Sequence, residues 1–200
     1  MKRWLIVLMM LVSQNAFADS VSVGGGWSHT NNSNYGDSAL FLARYEKAVY
    51  GPLGIGLEGS YHGPQSHNHD IGSYGDMSGW SAIPYIVVRP EVDWQVKPYG
   101  LAGYGYSWWT FDRSQDMADK GIAIDMGDTT CFMLATGLET QIKGILWAIE
   151  LSYFQAQVPL NAYYESNGSF ANVVGDDDRS GRRRIGQPEI RIMLIGRKAW

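Results

Sequence analysis

From about residue 20 onward, apolar and polar residues alternate with a period of two, in runs bounded by glycine, proline, asparagine and aspartate. That period places successive side chains on opposite faces of a strand. Eight runs have this form: Ser20–Thr30, Ser38–Tyr50, Gly54–Gly63, Gly79–Arg89, Val96–Phe111, Asp128–Ile142, Ile145–Val158 and Gly186–Lys198. None of them reads as a helix. The connections alternate in length. Gly51-Pro52-Leu53, Pro90–Gln95 and Lys143-Gly144 are short, whereas Asn31–Asp37, Pro64–Ser78, Asp112–Gly127 and Pro159–Ile185 are long. Short turns at one end and long loops at the other are the pattern of a membrane-spanning barrel with periplasmic turns and outside loops. The pattern predicts an all-β fold, an eight-stranded antiparallel transmembrane up-and-down β-barrel.

The facing of most strands follows from the alternation. Ile145, Trp147, Ile149, Leu151 and Tyr153 fall on one face, and Ala148, Glu150 and Ser152 on the other. Ile55, Leu57, Gly59 and Tyr61 oppose Gly56, Glu58, Ser60 and His62. Phe132, Leu134 and Leu138 oppose Met133, Ala135, Gly137 and Glu139. Ile190, Ile192 and Leu194 oppose Glu189, Arg191 and Met193. Phe41, Ala43, Tyr45 and Val49 oppose Arg44 and Glu46. The fourth and fifth strands fit either face. Large aromatics near strand ends, such as Tyr99, Trp109, Trp147 and Tyr153, are expected on the outside. The charged set Arg44, Glu46, Glu58, Glu139, Glu150, Glu189 and Arg191 is then interior, with Arg89 a further candidate. Buried charges must pair, and an eight-stranded barrel is just wide enough for side chains to fill. A cross-strand ion-pair network with no open pore is expected. Five glutamates against two or three arginines leave a deficit of positive charge.

The opposite arrangement, a soluble eight-stranded barrel of lipocalin type, would point the apolar face inward. It is disfavoured because the strand charges are few and of mixed sign, which suits a paired interior better than a solvated surface.

The N-terminus changes the picture. Lys2 and Arg3 precede an apolar run from Trp4 to Val12, followed by Ala16-Phe17-Ala18. This is the form of a secretory signal peptide over residues 1–18, cleaved after Ala18, with the barrel over residues 19–200. The run is too short for a spanning helix, which needs about 20 apolar residues. Removing Lys2 and Arg3 from the 16 basic residues leaves 14 against 20 acidic ones, a net charge of −6, which argues against nucleic acid as a partner. One cysteine, Cys131, excludes a disulfide framework, and it falls on an inner face as a small inert residue. With 24 glycines, 12 tyrosines and 8 tryptophans, the composition suits a barrel with aromatic girdles.

The stretch Val96-Lys97-Pro98-Tyr99-Gly100-Leu101-Ala102-Gly103-Tyr104-Gly105-Tyr106 resembles the fifth-strand signature of the small outer-membrane barrel superfamily, which includes opacity-type adhesins and attachment-invasion proteins. Ala43-Arg44-Tyr45 and Ala135-Thr136-Gly137-Leu138-Glu139 resemble the same framework. The resemblance covers essentially the whole chain after residue 18 and implies the fold, with little bearing on function. Trp200 matches the terminal aromatic residue usual in such barrels, although Lys198 and Gly196 stand where apolar residues are usual.

Few constellations carry chemistry. His67-Asn68-His69-Asp70 has the residue types to touch a metal ion but lacks a further ligand cluster, and it reads as a solvated loop with no metal. Asp176-Asp177-Asp178-Arg179 and Arg182-Arg183-Arg184 form a charged run, in which the three arginines are candidates to grip lipopolysaccharide phosphates. Ser28-His29 are neighbours on a strand and point to opposite faces. Ser60, His62 and Glu58 share a face, so they are the weak candidates for a catalytic triplet of lipid-modifying type. Gly24-Gly25-Gly26 lacks the lysine and helix of a phosphate loop. It reads as relief of crowding where the first strand curves.

No cofactor is expected. The leading function is non-catalytic: a monomeric scaffold presenting loops for adhesion, surface protection or envelope integrity, with Tyr163, Tyr164, Phe170, Arg182, Arg183 and Arg184 as contact candidates. The expected partners are outer-membrane lipid, lipopolysaccharide and a host or surface macromolecule. The alternatives are a narrow conduit for small apolar molecules and a lipid-modifying enzyme.

Overall fold

The computed structural model of the protein describes residues 19–30, 36–69, 72–166 and 182–199. The expected leader, its cleavage point and Trp200 lie outside these residues. In chain order the described elements are β1 (Asp19–Thr30), β2 (Ser38–Tyr50), β3 (Leu53–His69), β4 (Gly72–Val88), β5 (Val96–Arg113), α1 (Gln115–Asp119), β6 (Ile122–Met126), β7 (Thr129–Ile142), β8 (Ile145–Tyr164) and β9 (Arg182–Ala199).

All pairings are antiparallel. The wall runs β1, β2, β3, β4, β5, β7, β8, β9, and β9 returns to β1 with Ser20 opposite Ala199 through Thr30 opposite Glu189, closing an eight-stranded barrel. At one end the turns are tight. Lys143 and Gly144 both have positive φ, 50° and 82°, the two-residue turn whose twist matches the flanking strands. Where β1 approaches β9, a Cβ on Gly26 would run into the Ile192 carbonyl, so glycine is needed there.

The facing read from the alternation holds in β2, β3, β7, β8 and β9. Phe41, Leu57, Leu138, Ile149, Ile192 and Leu194 are more than half exposed, while Arg191, Glu58 and Glu150 are 0 % exposed. The strands left open are also settled. Ile83, Tyr85 and Val87 of β4 and Tyr99, Leu101 and Trp109 of β5 point inward. The expectation that Tyr99 and Trp109 lie outside is therefore wrong. Tyr99 turns in because its hydroxyl donates to Glu150 Oε2 at 2.8 Å. Trp109 turns in because its indole N–H donates to Ser107 Oγ at 2.9 Å and its ring lies 5.1 Å from that of His62. The exposed aromatics of the outside rim include Trp27, Trp80, Tyr104, Tyr106, Trp108 and Tyr163. Those of the turn end are Tyr45, Tyr50, Trp94 and Trp147.

The long connections are shorter than expected because strands continue past the lipid-facing belt. Much of Pro64–Ser78 is strand: β3 and β4 pair out to His69 opposite Gly72, with irregularities between His62 and Gln65 and between His67 and Asn68. Gln65 anchors this extension by donating to the Gly36 carbonyl at 2.7 Å. The stretch Asp112–Gly127, expected as a long connection, holds α1 and β6. Ser114 caps α1 by accepting from the Met117 N–H, and Met117 buries itself with Ile122, Leu160 and Ala162 in a small second core. That core, and β6 as a pairing partner, keep β8 extended to Tyr164.

Candidate functional site: a charged barrel interior

The inner wall carries three tiers of charge, each assembled from strands distant in sequence. At the turn end, Arg89 pairs with Glu46, and Arg89 Nε reaches Glu139 at 3.4 Å. Arg197 donates to Glu46 at 3.4 Å and to Glu139 at 3.3 Å, and the Tyr85 hydroxyl donates to Glu46 at 3.4 Å. In the middle tier, Arg44 Nε donates to Glu58 Oε2 at 2.7 Å. Its two Nη groups donate to the two Glu150 oxygens at 2.6 and 2.8 Å. This forked contact crosses the barrel from β2 to β8 and fixes both carboxylates. Small residues make room for the large ones, since a Cβ on Gly137 would lie 2.5 Å from the Tyr99 ring. In the outer tier, Arg191 Nε donates to Glu189 Oε2 at 3.2 Å, as does Ser28 Oγ at 2.9 Å. The Arg191 guanidinium lies 3.5 Å from the centre of the Phe154 ring.

The structure thus places all seven predicted interior charges, and Arg89, on the inner wall. Arg197 is the member that the sequence reading missed. It continues the odd-numbered inner series Glu189, Arg191, Met193, Ile195 on β9, so the period-two pattern contained the signal. With Arg197 and Arg89, four guanidinium groups face five carboxylates. Buried pairs of this kind add little net stability but are costly to break, at about 3–5 kcal/mol when one partner is removed.

Ser60, His62 and Glu58 share the inner wall, but their polar atoms are engaged elsewhere. Ser60 Oγ bonds Ser81 Oγ at 2.7 Å, and Glu58 is held by Arg44. His62 meets Ser81 at 3.3 Å through Nε2 and Glu189 at 3.4 Å through Nδ1. Its ring sits between Trp109 and Phe154, with Arg191 Nη2 3.2 Å from Nε2. A cation at the nitrogen that would have to accept a proton disfavours His62 as a base. All of these groups are buried among packed side chains.

At the outside rim, Tyr163 is exposed on β8 and opposite Ala123 of β6. Tyr164 ends β8. Arg182, Arg183 and Arg184 open β9 opposite Asn161, Leu160 and Pro159. These five are therefore strand residues, not loop residues, because the β8–β9 ladder runs on to Asn161 opposite Arg182 and β6 pairs with β8 out to Tyr164. The side chains of Tyr164 and Arg182–Arg184, and the whole of Phe170 and 176–179, lie outside the described residues. The backbone of His67–His69 is in β3, while the side chains of His67 and His69 and all of Asp70 also lie outside them. Among the described residues, no group of three or more His, Cys, Asp or Glu is placed to hold a metal ion.

No protein-family description matches the chain, and no curated protein matches it in sequence. Solved structures do match in shape. The outer membrane protein OprG from Pseudomonas aeruginosa superposes with a TM-score of 0.67 at 11 % identity, covering 92 % of this chain and 97 % of that one. A major outer membrane protein from Thermus thermophilus gives 0.58 at 10 %, covering 91 % and 99 %. Neisserial surface protein A gives 0.56 at 8 %, covering 90 % and 96 %. By this likeness, and by an apolar exterior closed around a charged interior, the chain has the fold of the small eight-stranded outer-membrane β-barrels.

Proposed function

We propose that the protein is exported behind a cleaved leader and sits in the bacterial outer membrane as a monomeric, non-catalytic scaffold. Its barrel fixes an extended outside rim for adhesion, surface protection or envelope integrity. The observation that carries this reading is the inversion of polarity: leucines and isoleucines cover the outside of the wall while Arg44, Arg191, Glu58 and Glu150 fill the inside. Such a surface is stable in lipid and not in water. The three charged tiers, with Phe154, Met133, Met193 and Ile83 buried among them, support a side-chain-filled interior and so a display role over a conduit. The arginine beside His62 favours the same role over lipid hydrolysis.

The test uses bacteria displaying the full protein or a variant lacking residues 167–181. The barrel should fold in both, and attachment to host cells or survival in serum should fall in the variant. Equal attachment and equal survival would sink the display reading. Steady open-channel conductance of the purified barrel in a planar bilayer would count for the conduit instead.

A further inference from the structure

We propose that the outer wall carries a cleft for a neutral sugar where β5, β7 and β8 part, formed by Tyr104, Tyr106, Asp128, Thr130, Gln155 and Gln157. This rests on the outer-membrane reading above, because the cleft lies at the height of the outside aromatic rim.

The cleft exists because the sheet is interrupted. β5 pairs with β7 only as far as Ser107 opposite Thr129. The β7–β8 ladder stops at Cys131 opposite Ala156, and β8 regains a neighbour on that side at Leu160 opposite Met126 of β6. Between them, the Gly127 N–H donates to the Pro159 carbonyl at 2.8 Å and bridges the gap. The space left open has a volume of about 550 Å³, within the range of small-molecule sites.

Its lining is unlike the rest of the exterior. The outward series of β8 runs Ile145, Trp147, Ile149, Leu151, Tyr153 and then changes to Gln155 and Gln157. Amide groups facing hydrocarbon would lose their hydrogen bonds, so this change places the cleft at headgroup height. The Tyr153 hydroxyl donates to Gln155 Oε1 at 3.2 Å, which orients the amide and, among the described residues, leaves its NH₂ to donate to a guest. Tyr104 and Tyr106 are exposed, and Tyr106 is braced edge-on against Trp108 at 5.2 Å. Flat aromatic faces ringed by amides, a hydroxyl and a carboxylate match a sugar ring, which offers a C–H face for packing and hydroxyl groups for hydrogen bonds. Charge selects among polar guests. Among the described residues Asp128 is the charged side chain lining the cleft, and its carboxylate disfavours a phosphate group. An apolar guest would leave the amides unpartnered.

Neutral sugars reach this height from two sources, the core of a glycolipid in the outer leaflet and free oligosaccharide outside. The experiment uses the full barrel in detergent micelles, with maltotriose and cellotriose as probes in saturation-transfer NMR. It also uses nanodiscs holding lipopolysaccharide with a complete hexose core or truncated to lipid A. Transfer to either trisaccharide, weakened at least tenfold in Gln155→Leu and Gln157→Leu, supports the cleft and a soluble source. Tighter binding of the core-complete lipopolysaccharide than of the truncated form, lost in the same variants, supports the cleft and a glycolipid source. No transfer to either sugar, together with equal binding of the two lipopolysaccharides, overturns the cleft, as does binding that the variants leave unchanged. Gel mobility of the unheated wild-type barrel separates this from failure of the outer-membrane reading, because a folded barrel that binds no sugar sinks the cleft alone.

Discussion

Arg44 holds two carboxylates that water does not reach, so it is the residue whose loss tells most about the interior. Arg44→Met leaves Glu58 and Glu150 buried without a cation. The expected cost is about 3–5 kcal/mol, read as a lower urea midpoint for the barrel in lipid vesicles. Adding Glu58→Gln and Glu150→Gln to Arg44→Met should recover most of it. If the single variant loses less than about 1 kcal/mol, the carboxylates are hydrated and the packed interior is wrong. A second residue-scale prediction concerns the rim. Asp37 meets His29 at 2.6 Å. The Trp27 indole, and then His29, hold its carboxyl below the ordinary value of 3.8 by hydrogen bonding to the charged form. Because the folded value is depressed, this contact favours the fold at pH above 3.8 and stops doing so as the pH falls through the folded value. Trp27→Phe should raise the Asp37 titration midpoint measured by NMR, and an unmoved midpoint would remove Trp27 as the cause. Most of the interior charge was legible from sequence because it lies on cleanly alternating strands. Tyr99 and Trp109 were misread because aromatic residues suit a girdle and a packed interior equally well, and only their partners, Glu150 and Ser107, decide between the two.

Among the elements, the end of β2 and the start of β8 were legible to the residue because tight turns bound them. The outward extensions were not. Gln65 to His69 are polar throughout, so no alternation marks them as strand, and their pairing is set by β4. The five residues of β6 and the five of α1 are too short to show a period. What holds these two elements is the second core, and that gives a prediction at this scale. Met117→Asp should loosen α1 and β6 while leaving the barrel closed. Proteolysis should then cut between Asp112 and Asp128, with the resistance of the remaining chain unchanged. If the segment stays protected, the core of Met117, Ile122, Leu160 and Ala162 does not hold the rim. If the whole barrel is digested, rim and barrel are one cooperative unit.

For the whole molecule, the governing fact is that an apolar belt faces outward while charged residues of the strands face inward. A soluble barrel of the same strand count would bury Leu57, Leu138, Ile149 and Ile192 and expose Arg44 and Glu58. Here the order is reversed, with both strand edges of the wall joined through β1 and β9. This reversal was readable from the sequence because a period of two assigns every residue of a strand to a face once one face is known. The identity of whatever meets the rim was not, since it depends on surface residues that no packing constraint fixes. The most direct test is to fractionate cell envelopes and compare the protein's gel migration in detergent before and after boiling. A closed, lipid-embedded barrel should be found in the outer-membrane fraction and should migrate differently until it is boiled. Protein recovered in the soluble periplasm with the same mobility before and after boiling would contradict the inverted barrel on which the account depends.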